Sequence, residues 1–221
     1  DKEKQIKKTP EEMSSEMLVK FTDQKSVEIP TEILENWGTS KAFVDFSLLH
    51  DGKSTTKLKV ESIKKILPLG ADLGLNLTPV VNLNDDAEVQ EAICSLAKKY
   101  GQGLCLRIIS SDLAEMTKLN SKLGEFLGAY KIDEKDIDIL MDIKSINEKG
   151  GQYTVYSNLS QQIMNLPKWR NFIFASGAFP ENLSECKISE LNFVPRFDWQ
   201  NWSHQTQQKQ LKRNPTFADY T

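Results

Sequence analysis

Six polar residues recur at the ends of short apolar segments: Asp45, Asn82, Arg107, Asp142, Ser176 and Asp219. Successive members lie 37, 25, 35, 34 and 43 positions apart, close to the length of one strand-helix unit. The segments before them read Ala42-Phe43-Val44, Thr78-Pro79-Val80-Val81, Leu104-Cys105-Leu106, Ile139-Leu140-Met141 and Phe172-Ile173-Phe174-Ala175, with Thr216-Phe217-Ala218 as a weaker last case. Parallel strands buried on both faces read as continuous apolar runs, so a polar residue closing nearly every one needs a reason. In barrels of alternating strands and helices, the strand C-terminal ends converge on one mouth, where ligands bind.

The residue types suggest particular chemistry. Two carboxylates, Asp45 and Asp142, sharing a partly desolvated cavity could divide acid and base roles or hold a divalent cation. Each could equally cap the following helix or pair with a neighbouring Arg or Lys. A guanidinium inside Leu104-Cys105-Leu106-Arg107-Ile108-Ile109 cannot be buried unpaired. Arg107 therefore either clamps a phosphate or carboxylate ligand or neutralises Asp45 or Asp142. Asn82 and Ser176 are ligand contacts or helix caps. Lys144 shares the face of Asp142 if the strand continues that far, and is otherwise solvated. Asp219 completes the ligand set at the last strand. Ser176-Gly177-Ala178-Phe179-Pro180 offers backbone N–H groups for an anion nest, or is simply a turn.

A second cluster, Arg196, Trp199 and Trp202, could stack a base or a partner's side chain, or pin a polar helix onto the domain. The run from Gln205 to Arg213 reads as a solvated helix face whose basic end could touch an acidic partner.

Several classes are excluded. The chain lacks Gly-x-Ser-x-Gly, and His50 and His204 sit in no metal-ligand spacing, which argues against a Ser/His/Asp triad. Gly70, Gly74, Gly101 and Gly103 precede strands instead of following them, so no dinucleotide or phosphate loop is present. No cofactor motif remains beyond a divalent cation between the aspartates. Lys and Arg total 28 against 31 Asp and Glu, for a net charge of -3, and nucleic acid is not indicated by so balanced a charge. No apolar run approaches the roughly 20 residues needed to cross a bilayer. Cys94, Cys105 and Cys186 are odd in number and share no ligand spacing; they read as reduced thiols in a cytoplasmic compartment.

The elements that must position these residues follow from pattern. Residues 1–40 form a charged and helical N-terminal segment, with Thr9-Pro10-Glu11-Glu12 as a helix start and a second helix from Pro30 to Gly38. Residues 41–221 form a strand-helix domain that reads as barrel-like, because polar residues closing nearly every strand would converge on one mouth, with an open flavodoxin-like sheet as the alternative. Within it, a helix around 58–73 is kinked or split at Pro68. A helix from Val89 to Tyr100 ends at Gly101, and another carries Leu113 to Leu127. The spacing places further helices near 156–166 and over 198–213. The alternation, without hairpin signals, predicts a parallel sheet of about six strands. The chain opens at Asp1 without Met and closes at Thr221 inside an apparent strand, as expected of a piece of a longer protein.

Taken with their flanks, the strand ends resemble a known family. The stretches are Ala42-Phe43-Val44-Asp45-Phe46-Ser47-Leu48-Leu49, Thr78-Pro79-Val80-Val81, Gly103-Leu104-Cys105-Leu106-Arg107 and Asp138-Ile139-Leu140-Met141-Asp142. They continue with Phe174-Ala175-Ser176-Gly177-Ala178-Phe179-Pro180 and Arg213-Asn214-Pro215-Thr216-Phe217-Ala218-Asp219-Tyr220. Their order over about residues 35–221 is similar to the "beta protein" family of tailed phages and bacteria. Ala218 stands where that pattern commonly has Gly. The resemblance implies an incomplete (β/α)8 TIM-like barrel, two strands short at its start, and a phage-related or anti-phage defence setting. Together with the strand-end residues it leads to one expectation: recognition of an anionic small molecule or a defence-system protein partner at the strand-end mouth. The competing expectation is a metal-assisted hydrolase or phosphotransfer enzyme built on Asp45 and Asp142, with Arg107 as anion clamp.

Overall fold

Short apolar runs alternating with amphipathic helices bury their surface best as parallel strands with helices packed against them. The computed structural model has this arrangement, and it describes residues 15–49, 55–179, 184, 187, 189–208 and 210–219. Thr9-Pro10-Glu11-Glu12, His50, Pro180 and Cys186 lie outside the described residues. The chain divides into two units, residues 1–81 with 85–103, and residues 82–84 with 104–221.

In the first unit, α1 (Ser15–Trp37) leads to β1 (Ala42–Asp45), α2 (Thr55–Asp72), β2 (Leu77–Asn82, whose last residue groups with the second unit) and α3 (Ala87–Tyr100). β1 and β2 pair in parallel, with Ala42 opposite Leu77 and Asp45 opposite Val80. α2 lies against both α1 and α3 and buries Ile63, Ile66 and Leu67. Gly70 lets α2 approach β2, because a Cβ there would stand 2.8 Å from Leu77 Cδ1. Gly101 ends α3 in the left-handed conformation (φ 64°).

Pro30, expected to begin a second helix, lies inside α1, and Pro68, expected to kink or split a helix, lies inside α2, which is not split. An internal proline costs about 3 kcal/mol. Here tertiary burial outweighs it. α1 and α2 pack together, and the buried Ser26 hydroxyl donates to Ser62 Oγ at 3.0 Å.

The second unit contains β3 (Leu104–Ile109), a 3-10 turn over Ser110–Glu115, α4 (Met116–Tyr130), β4 (Ile137–Ser145), α5 (Gly151–Ser160), β5 (Asn171–Gly177), α6 (Phe197–Thr206) and β6 (Thr216–Ala218). The strands pair in parallel in the order β3-β4-β5-β6. Asp112 of the 3-10 turn accepts the Ile109 N–H at 3.0 Å and so closes the end of β3.

α5 begins at Gly151, earlier than the pattern predicts. Pro167 lies instead in a short 3-10 turn, Leu166–Lys168, where its missing N–H is harmless. α6 stops at Thr206, well short of Arg213. Arg213 turns onto the chain itself: its Nη1 donates to Leu166 O at 3.0 Å and to Trp169 O, and its Nη2 to Arg170 O at 3.0 Å. One guanidinium thus gathers the carbonyls of the turn that launches β5.

The buried side of α6 is polar: Asp198, Asn201 and Gln205. Buried polar groups need partners, and each has one. Arg196 donates to Asp198, and Asn201 accepts the Gly150 N–H at 2.7 Å while donating to Glu148 O at 2.9 Å. Gln205 donates to Thr154 Oγ1 at 3.0 Å.

Two buried acids report on the core. Burial, then Glu91, pushes the Cys94 thiol up from 9.0 to about 12. Burial, then Asp198, raises the Tyr153 phenol above its ordinary 10.0. A group whose folded pKa is raised gives its full stability below the unfolded pKa and loses it as pH climbs through the folded one. Stability is therefore expected to fall as pH rises from about 9 to about 12, by up to about 1.4 kcal/mol per pH unit for one such group. Denaturant melts between pH 8 and 11 check this: Cys94→Ala is expected to show a flatter decline, and an unchanged slope refutes the assignment.

Candidate functional site

Opposed residues of a parallel ladder share a face, and neighbours along one strand alternate faces. In the second unit, Arg107 lies opposite Leu140, Leu140 opposite Ile173, and Ile173 opposite Thr216. The next row toward the C-terminal ends is Ile109, Asp142, Ala175 and Ala218. The opposite face carries Leu106, Ile108, Ile139, Met141, Phe172 and Phe174, each no more than 1% exposed. The face of Arg107 is different. Arg107, Ile109, Leu140 and Ala218 are half-buried and Thr216 is exposed.

On that face Asp142 is completely buried. Its Oδ2 accepts from Arg107 Nε at 2.8 Å and from Arg107 Nη2, and lies 3.1 Å from Lys144 Nζ. Its Oδ1 accepts the Lys144 N–H at 3.1 Å. That bond accompanies a left-handed backbone at Lys144 (φ 61°) and a register shift between Asp142 and Ser145. Lys144 therefore reaches Asp142 through a bulge, while most of its side chain stays in solvent (61% exposed). Two cations thus reach one carboxylate.

Four residues below, on the same face of β4, Asp138 repeats the device. It is fully buried and held by Arg170 through Nε at 2.7 Å and Nη2 at 2.8 Å, with Asn171 Nδ2 at 2.7 Å. The hydrogen bond from Arg170 to Asp138, opposed in part by desolvation, raises the arginine's pKa above its ordinary value. Asp138 and Arg170 were not among the residues singled out by strand-end position. The signal was present: two acids at i and i+4 inside one apolar strand, hence on one face.

The remaining strand-end residues fall elsewhere. Asp45 closes β1 in the first unit and accepts the Ser47 N–H at 2.8 Å, turning the chain out of the strand. Asn82 ends β2 and is half-buried. Ser176 follows Ala175, so it faces away from Asp142; its hydroxyl is 1% exposed and has no hydrogen-bond partner among the described residues. Asp219 follows Ala218 and so lies on the side opposite Asp142, where Arg196 Nη2 donates to it at 2.6 Å and to Asp198 Oδ2 at 2.8 Å. Those bonds raise the Arg196 pKa, the contact with Asp198 contributing most.

Trp199 and Trp202 pack on Phe217 with ring centroids 5.1 and 5.5 Å away, and Trp202 Nε1 donates to Pro215 O at 2.9 Å. These contacts tie α6 to β6, and Trp199 remains 48% exposed. Among the described residues, no group of three or more His, Cys, Asp or Glu is placed to hold a metal ion. No helix there is long and apolar enough to cross a membrane.

What the trio can do follows from its charges. Asp142 has accepted protein donors on both oxygens, which suits it to hold Arg107 and Lys144 in place. Arg107→Ala would leave a buried carboxylate without its main partner and is expected to destabilise the fold by about 3–5 kcal/mol. Lys144→Gln removes a largely solvated charge and is expected to cost no more than about 1 kcal/mol. Equilibrium denaturation of the two variants checks the order. Equal losses would refute the assignment of Arg107 as the main partner.

Among curated proteins, none matches this chain. One family does, described as "Beta protein", over residues 5–221. The match takes in all of the strand ends above and reaches further toward the N-terminus than the resemblance read from the strand ends. The chain belongs to the Beta protein family.

Proposed function

We propose that this protein recognises a small anion at the C-terminal ends of β3 and β4, with Arg107 and Lys144 as its binding cations and Asp142 as the residue that positions them. The observation that carries this reading is the fully buried Asp142 holding two cations on the solvent-reached face of the sheet. A parallel sheet is ordinarily covered on both faces. Strand-helix folds take ligands toward the C-terminal ends of their strands, where these two cations lie. The setting we infer is a phage-associated or defence protein on an incomplete (β/α)8 barrel, supported by family membership and by the alternation of parallel strands and helices.

A hydrolase using Asp142 around a divalent ion would first have to strip two cations from that carboxylate, and no observation favours it.

Thermal shift of the full-length protein against orthophosphate, nucleotides, sugar phosphates and divalent ions tests the reading. Phosphate-bearing members are expected to raise the melting temperature. A charge-assisted hydrogen bond contributes about 1.5–3 kcal/mol, so Lys144→Gln should weaken binding about tenfold or more, and Lys144→Arg should retain most of it. A panel silent toward every anion would refute anion recognition.

A further inference from the structure

In the second unit, α6 and β6 are fastened to each other through aromatic rings. Trp199 and Trp202 close on Phe217, and their own ring centroids lie 4.9 Å apart. Trp202 Nε1 donates to Pro215 O at 2.9 Å, and Arg196 Nη2 bridges Asp198 and Asp219. The attachments of this piece to the rest of the unit are of another kind. The fully buried residues of α6 are Asp198, Asn201 and Gln205, none of them apolar. Asn201 bonds the Gly150 N–H and Glu148 O, and Gln205 bonds Thr154 Oγ1. Arg213, between α6 and β6, bonds the Gln161 side chain and the carbonyls of Leu166, Trp169 and Arg170. β6 adds a ladder of three register pairs along one edge of β5. Such hydrogen bonds are exchanged for bonds to water on release, so they hold a piece less firmly than apolar burial does.

Ser176 lies at the rim of this attachment. Phe174 stands opposite Phe217. The next residue of that face on β5 is therefore Ser176, and its counterpart just past β6 is Asp219, which Arg196 ties to the first turn of α6. The Ser176 hydroxyl is buried and has no hydrogen-bond partner among the described residues. A hydroxyl in that position costs stability while it is covered and regains its bonds when water reaches it. We propose that α6 with β6 is a releasable cover. The two detach as one piece while β3, β4 and β5 stay paired, and the dry burial of Ser176 biases the piece toward release. Release frees the edge of β5 that β6 pairs and opens the Phe174–Ser176 face to water. Supersecondary pieces held by few buried apolar contacts are the ones that open below the cost of global unfolding. The inference stands independently of anion recognition.

Native-state hydrogen exchange of the full chain tests this. In the unaltered protein the amides of α6 and β6 are expected to open at least about tenfold more often than those of β3 and β4, with a weaker dependence on denaturant. Ile108 is fully buried in β3, away from α6. Ile108→Val should raise exchange in β3 and β4 about fivefold and leave α6 and β6 unchanged. Ser176→Ala should slow α6 and β6 about tenfold, because the closed state no longer covers an unsatisfied hydroxyl. The inference is overturned if α6 and β6 follow β3 and β4 in Ile108→Val. It is equally overturned if Ser176→Ala leaves their exchange unchanged or faster.

Discussion

A fully buried carboxylate in the middle of a parallel sheet needs cations and hydrogen-bond donors that reach it. Asp142 has Arg107 and Lys144, and Asp138 has Arg170. Both pairs occupy the same face of β4, and both draw an arginine from outside β4 against it. Arg107 comes from β3, and Arg170 from the residue just before β5. The pairs therefore fasten the central strand to its two neighbours through side chains as well as through the ladder. Removing one partner of such a pair is costly because the other stays buried and uncompensated. This is the constraint that fixes where the polar groups of the second unit can be.

The same constraint shapes the backbone. The Asp142 carboxylate accepts the N–H of Lys144, whose left-handed conformation costs a non-glycine residue about 1–2 kcal/mol. The bulge that results turns Lys144 back toward Asp142 while keeping most of the lysine in water. One carboxylate thus orients a guanidinium within the sheet and an ammonium at its rim. Local strain of this kind persists where surrounding contacts over-determine it. Here those contacts are both oxygens of Asp142.

A different logic holds α6 in place. Its buried side is Asp198, Asn201 and Gln205, each satisfied by a specific partner, and its aromatic side closes on Phe217. Arg196 links Asp198 to Asp219 and so joins the helix to the residue after β6. Polar networks of this kind are stable only when complete. That accounts for a helix whose sequence shows no apolar stripe.

The sequence by itself determined the alternation of strand and helix, the parallel pairing, and Asp45 and Asn82 as the last residues of their strands, because burial of short apolar runs and of period-3.6 faces is a local property of the chain; β3 and β4 run on past Arg107 and Asp142, expected to close them, to Ile109 and Ser145. It also required Arg107 to have a partner, because a buried guanidinium cannot go unpaired, without saying which. Only the tertiary structure decided that the partner is Asp142. It also put Ser176 and Asp219 on the opposite face, since face depends on register and register on pairing between distant segments. It kept α1 and α2 continuous through Pro30 and Pro68, where packing outweighs a local cost. And it turned Arg213 onto three carbonyls, a role that no spacing along the chain encodes.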